Sequence, residues 1–337
     1  MRVSRRALIA GLSSVVALVI LAGGLYLLAR RPVARRPSPS PSSSAERHRR
    51  TSPFTGEPVA SLGPELIFKI DNVQQARPPT GLTKADIVYL LPVEGGLSRI
   101  FAVFSSHFPP VVGPVRSARQ EDIELLRQFG RPAFAFSGAQ PHLLPVVEHA
   151  PIVDLYAGIV GGYFRSADRI EPYNLYAKTR TLLAEAKGRE SRAHDIGFRF
   201  GPPPPGGTPA SSYSVSYAAA AFRFAWSPGQ HRWLAWMDGK PAMAAGGGQL
   251  GGPTVVVQYV KVTTSVFREL GIRPPYASTV GSGTAVVLRD GRAYHVRWSR
   301  PAAGDGTTYT QPDGRPMPFA RGQVWVVFGV GPGSSAN

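Results

Sequence analysis

The sequence predicts an α+β protein, with a mixed α/β domain on the N-terminal side and a β-rich domain after it. Three observations predict this. Apolar runs of strand length alternate with helix-spaced segments from residue 64 to about 187. A stretch of four prolines between glycines, at 201–207, then breaks the pattern. Beyond it, strand-like runs recur around Asp-Gly turns. Glycine and proline, 37 and 33 of 337 residues, fit a chain of many turns and few long helices.

The chain opens with three arginines in residues 1–6, followed by an uncharged apolar run at 7–29. Backbone amides in lipid must be paired internally, so such a run reads as a helix. At about 1.5 Å per residue it is long enough to cross a hydrocarbon layer of roughly 30 Å. A cleavable signal has a shorter apolar core, about 7–15 residues. This run continues through Leu25-Tyr26-Leu27-Leu28 to Arg30-Arg31, so the expectation is an uncleaved single-pass anchor at 1–29, with a cytoplasmic tip. Arginines on both flanks leave the orientation open by charge alone. Residues 30–50 are nearly all Arg, Pro, Ser and Ala. They read as a disordered spacer holding a globular part away from the cell membrane, on its extracytoplasmic side.

In the globular part, 66–70, 86–92 and 99–106 have strand length and apolar content. Residues 117–129 put Ile123, Leu125, Leu126 and Phe129 at spacings that share a helical face. Residues 133–137 read as strand. Residues 173–187 read as helix, through Thr179, Leu182, Leu183 and Ala186. The break at 201–207 divides a domain of 51–200 from one of 208–333. In the second, 211–217, 221–226 and 233–237 read as strands, the last ending at Asp238-Gly239. Residues 254–263 are the clearest strand, 283–288 and 292–298 make a hairpin about Asp290-Gly291, and 323–328 close the domain.

Composition excludes several chemistries. There is no cysteine, hence no thiolate nucleophile, no disulfide and no cysteine-ligated metal. The net charge is +17; ten arginines and one glutamate in the first 50 residues give +9 and leave +8 for the rest. A basic surface favours polyanions by its field. Zinc-finger, helix-turn-helix and aromatic-sheet signatures are missing, so no nucleic acid is expected as partner. No phosphate-binding or dinucleotide loop is present, and no Gly-x-Ser-x-Gly surrounds a serine. His194-Asp195 is the nearest approach to a metal pair and has no third ligand in view. The expectation is no metal and no cofactor.

Several stretches resemble the YerB-like family of secreted or membrane-attached bacterial proteins. They are IDNVQQARPPTGLTKADIVY at 70–89, VEGGLSRIFAVFSS at 93–106, GPVRSARQED at 113–122 and EPYNLY at 171–176. In the β-rich half, TVVVQYV, the Gly-Ser-Gly at 281–283, the Asp-Gly turns and GQVWVV add to the likeness. It covers about 53–330 and implies extracytoplasmic placement and two domains, with no established catalytic residue. Many members begin their mature chain at a lipid-modified cysteine, which this chain lacks. It also has Ser137-Gly138-Ala139-Gln140 and Tyr173 where many members carry histidines.

The polar residues at strand ends and loops form one candidate group: Asp71, Asn72, Arg77, Glu94, Arg99, Arg116, Arg119, Asp122 and Asn174. As a ligand-binding set it suits an anionic or glycan ligand. Arg116 and Arg119 would form a guanidinium fork beside a helix starting near Ser117. Asp71 and Glu94 are the alternative as catalytic residues, a carboxylate pair for a wall-directed glycan hydrolase or transferase, which needs one raised pKa. The bland account has Asp71 and Asp122 capping helices or pairing with the arginines. The five tryptophans, all after residue 225, read as core or as sugar-stacking platforms. The expected function is a tethered, non-catalytic binding or scaffold module for an anionic cell-wall polymer or an envelope protein.

Overall fold

Strands dominate both halves of the folded part. The computed structural model describes residues 50–268 and 271–330; the apolar run 7–29 and the spacer up to residue 49 lie outside the described residues. Among the described residues, no helix is long and apolar enough to cross a membrane. The first half supplies β1 (Leu66–Asp71), β2 (Ile87–Pro92), β3 (Ser98–Phe104), β4 (Ala133–Phe136) and β5 (Val153–Tyr156). The second supplies β6 (Ser212–Tyr217), β7 (Ala220–Ser227), β8 (Arg232–Met237), β9 (Thr254–Tyr259), β10 (Gly281–Arg289), β11 (Arg292–Arg300) and β12 (Val324–Gly329). Among the described residues, three short α-helices accompany them: α1 (Gln120–Leu126), α2 (Leu144–Glu148) and α3 (Thr179–Ala186).

One mixed sheet runs in the order β11-β10-β9-β12-β2-β3-β1-β4-β5, with Thr208–Pro209 and Thr308–Thr310 paired to β11. The strand β12 lies between β9 and β2 and is parallel to both. Its side chains are buried throughout, as are those of β1, β2 and β3, which is why these strands read as unbroken apolar runs rather than alternating ones. One face carries Leu66, Phe68, Val88, Leu90, Val255 and Trp325. It is covered by the antiparallel meander β6-β7-β8, through Val215, Phe222, Phe224, Trp233 and Met237. The other face carries Ile67, Phe101, Phe134, Val256 and Val326. It is covered by α1, α2 and loops that insert Phe54, Phe129, Phe198 and Phe319. Trp233, Trp298 and Trp325 are core residues.

The structure departs from the sequence reading in the helices. The first half is β-rich, with helices of five to eight residues. The expected helix at 173–187 begins only at Thr179. Leu175–Lys178 is strand, paired on both sides with Tyr163–Arg165 and Val111–Val112, so tertiary pairing overrides the local helical spacing. The expected helix at 117–129 is α1 followed by a single 3-10 turn at Arg127–Phe129. β5 and α2 had no legible signal. Strands from both sides of 201–207 share the mixed sheet, which continues across that stretch. The hairpin about Asp290-Gly291 is present, with both residues at positive φ (49° and 68°), the geometry a two-residue loop between right-twisted strands requires.

Candidate functional site

The candidate residues gather where β1 ends and β3 begins. These strands are antiparallel, with Asp71 opposite Arg99 in register, so a carboxylate and a guanidinium meet at one edge of the sheet. The Glu94–Gly96 turn between β2 and β3 adds Glu94. The segment leading into α1 runs alongside and adds Arg116 and Arg119; its backbone is tied to β1 by Asp71 N–H to Pro114 O and Arg116 N–H to Lys69 O.

Two ion-pair groups result. In the first, Asp71 Oδ2 accepts from Arg116 Nε at 2.8 Å, and Oδ1 accepts from the backbone N–H groups of Asn72 and Val73. In the second, Glu94 accepts from Arg99 Nη2 at 3.1 Å and from Arg119 through Nε at 2.9 Å and through Nη2. Arg99 and Arg119 also donate to the carbonyls of Ser117 and Ala118. Burial alone would raise the Glu94 pKa, but the Arg119 hydrogen bonds and the charges of Arg99 and Arg119 outweigh it and lower it to about 2. Burial and the neighbouring Arg119 lower Arg99 to about 10.

Beside these pairs is an open polar cavity of about 520 Å³ lined by Asn72, Gln74, Gln75, Arg77, Ser98, Tyr173 and Asp238, with Val73, Leu97, Ala219 and Ala220. Asn72 Nδ2 donates to Ser98 Oγ at 2.9 Å, and its Oδ1 accepts from Arg77 Nε at 3.3 Å. Arg77 reaches across to Asp238 at 2.6 Å. Asp238 sits at positive φ (51°) in the turn after β8, so the meander contributes one wall. The opposite side of that wall is fixed by Gly96. A Cβ there would come within 2.5 Å of the Ala218 Cβ, and the Gly96 carbonyl accepts from Ala219 N–H. The Arg116 guanidinium lies over the Tyr173 ring, 6.0 Å from its centroid, with the Arg116 side chain a quarter exposed.

Two of the expected site residues lie elsewhere. Asp122 faces the core, accepting from Lys69 Nζ at 2.5 Å and from Arg119 backbone N–H at 2.7 Å. Asn174 braces its own loop, with Arg165 Nη1 at 2.8 Å and Ser166 O at 3.2 Å. The fork expected of Arg116 and Arg119 is divided: Arg116 is bound to Asp71 and Arg119 to Glu94. The helix starts at Gln120, and Asp122 fills its N-terminus. The expected carboxylate pair has each member neutralised by arginine, and Glu94 is held ionised rather than raised. His194 and Asp195 go to different partners, Glu65 and Arg199. Among the described residues, no group of three or more His, Asp or Glu side chains is arranged to hold a metal ion. Ser98, Gln74, Tyr173 and Asp238 went unnoticed as lining residues. Gln74, Ser98 and Tyr173 carried a signal only through their places in the 70–89, 93–106 and 171–176 motifs, and Asp238 only as a turn residue.

Comparison with known proteins gives the following. Residues 54–192 match the family described as "Protein of unknown function (DUF3048) N-terminal domain". Residues 213–326 match its C-terminal domain. A Bacillus subtilis (strain 168) protein named "Putative lipoprotein YerB" is 34% identical over 146 residues, which cover 41% of this chain and 43% of that protein. The chain therefore matches less than half the length of this curated relative. The crystal structure of YerB protein from Bacillus subtilis superposes with a TM-score of 0.73 at 20% identity, over 86% of this chain and all of the other. That likeness is one of fold.

Proposed function

This chain belongs to the DUF3048 family, and from that premise we propose that its folded part works outside the cytoplasm as a non-catalytic receptor for an anionic cell-wall polymer. In this reading residues 7–29 tether it to the cell membrane. The name of the Bacillus subtilis relative, "Putative lipoprotein YerB", supports envelope attachment. One observation carries the binding reading. A polar cavity is lined by Arg77 and Tyr173, the Arg116 guanidinium lies over the Tyr173 ring, and among the described residues its hydrogen-bond partner is Asp71, through Nε. A guanidinium with its outer edge unspent matches a carboxylate or phosphate, and an adjacent aromatic face matches a sugar ring. The carboxylate chemistry of the alternative, a glycan hydrolase or transferase, is disfavoured because Glu94 cannot hold a proton near neutral pH.

The test uses the full chain in mild detergent, mixed with isolated cell-wall sacculi across a salt series. The expected result is retention without release of soluble fragments, weakening as salt rises. Arg116→Ala should lower the affinity about ten-fold or more, since a charge-assisted hydrogen bond contributes about 1.5–3 kcal/mol. Fragments released by the parent chain and not by Glu94→Gln would overturn the reading in favour of an enzyme. Equal retention of the parent and of Arg116→Ala would move the binding away from this cavity.

A further inference from the structure

Behind the ion pairs lies a second charged group with no part in the binding reading. Lys69, Glu121 and Asp122 are 0%, 1% and 0% exposed. Lys69 is in β1, paired in register with Phe101 of β3, and the two acids are in the first turn of α1. Lys69 Nζ donates to Asp122 Oδ1 at 2.5 Å. The other oxygen, Oδ2, accepts the Arg119 backbone N–H at 2.7 Å. The Glu121 carboxyl stands 4.0 Å from the same Nζ, and among the described residues neither of its oxygens accepts a hydrogen bond from another side chain or backbone group. Holding two opposite charges out of water is costly, so a reaction that consumes both is favoured there.

We propose that Lys69 and Asp122 condense into an intramolecular isopeptide bond joining β1 to α1, with Glu121 as the proton carrier. Nζ gives a proton to Glu121 and attacks Cγ of Asp122. Negative charge gathers on Oδ2, where the Arg119 N–H already points, as a donor aimed at a developing oxyanion should. The C–Oδ1 bond then breaks. Oδ1 leaves as water, taking the proton held by Glu121 and a second from the nitrogen. An ammonium and a carboxylate become one neutral amide and one water, with no oxidant, cofactor or outside reactant. The product amide keeps Oδ2 as its carbonyl oxygen, still bonded to Arg119 N–H, and its own N–H faces the Glu121 oxygens that otherwise lack a donor. Burial, the largest influence, raises the Glu121 carboxyl to about 7, which suits a group that must both take and return a proton. The bond would give this cysteine-free chain the covalent lock that disulfides give other proteins outside the cytoplasm.

Intact mass spectrometry of the purified full chain tests this directly. The expected parent mass is one water below that of Asp122→Ala after allowing for the substitution. A protease digest should yield a branched peptide joining the Lys69 segment to the Asp122 segment. Lys69→Met should show the full mass and no branched peptide. Glu121→Gln should reach the same folded spectrum yet keep its full mass for much longer. A folded parent chain at full mass, with Lys69 and Asp122 recovered in linear peptides after prolonged incubation, would overturn the proposal. Condensation of Glu121→Gln at the parent rate would remove Glu121 from the mechanism.

Discussion

Glu94 decides much at the level of single residues, because it is the shared acceptor of two nearly buried arginines. Glu94→Gln leaves Arg99 and Arg119 facing each other with no counter-charge between them. The expected loss is about 3–5 kcal/mol, the range for breaking a buried pair from one side; urea unfolding followed by circular dichroism measures it. The same carboxylate has a pH signature. Its folded-state pKa is lowered to about 2, so its contribution is present above the ordinary 4.5 and is lost as pH falls toward 2. Why these residues were legible follows from where they sit. Asp71, Asn72, Glu94, Arg99, Arg116 and Arg119 are polar residues at the ends of apolar runs, and strand ends in an open sheet meet. What the sequence could not show was the pairing. Lys69 looks like an ordinary residue in a short strand, and its partner Asp122 is 53 positions away. The spacing that made Arg116 and Arg119 look like one fork says nothing of Asp71 and Glu94 dividing them.

At the scale of elements, hairpins were the most readable part and short helices the least. Asp290-Gly291 marks its turn because almost nothing but glycine sits at φ 68° without strain. Gly291→Ala should cost about 1–2 kcal/mol, the price of a Cβ in left-handed backbone, since that Cβ would also come within 3.0 Å of Trp226. A urea midpoint shifted at unchanged slope would show it. The segment 173–187 shows the opposite case. Its leucines and alanines fit a helical face, yet Leu175–Lys178 is captured between two neighbouring strands. No local pattern announces two partners, one of which, Val111, lies 67 residues upstream of Lys178. The apolar runs of β1, β2, β9 and β12 were readable for a plain reason: burial on both faces leaves no room for polar alternation.

For the whole molecule, buried acids set the response to pH. Burial raises Glu65 and Glu121 to about 7 in the folded chain, and Glu65 in turn raises His194 through their hydrogen bond. All three shifts favour the protonated form. The two carboxyls contribute in full below about 4.5, and that contribution is lost as pH rises through about 7. Thermal unfolding should therefore occur at a temperature at least about 3 °C higher at pH 5 than at pH 8, equivalent to roughly 1 kcal/mol. Glu65→Gln should flatten that slope. Topology makes a second prediction. Because β12 separates β9 from β2, a chain ending at residue 200 lacks the neighbour that covers β2. It should show no cooperative melt by itself and recover one when 201–337 is supplied in trans; two independent melts would sink this expectation.

That placement of β12 has a consequence for biosynthesis. A nascent chain that has produced everything up to residue 320 still holds two half-sheets with open edges, at β2 and at β9, and the strand that joins them follows both in the sequence. A premature stop codon shortly before Val324 would leave both edges bare, which is the state from which chains aggregate or are degraded. Quality control of this protein therefore falls on the codons for Val324–Gly329.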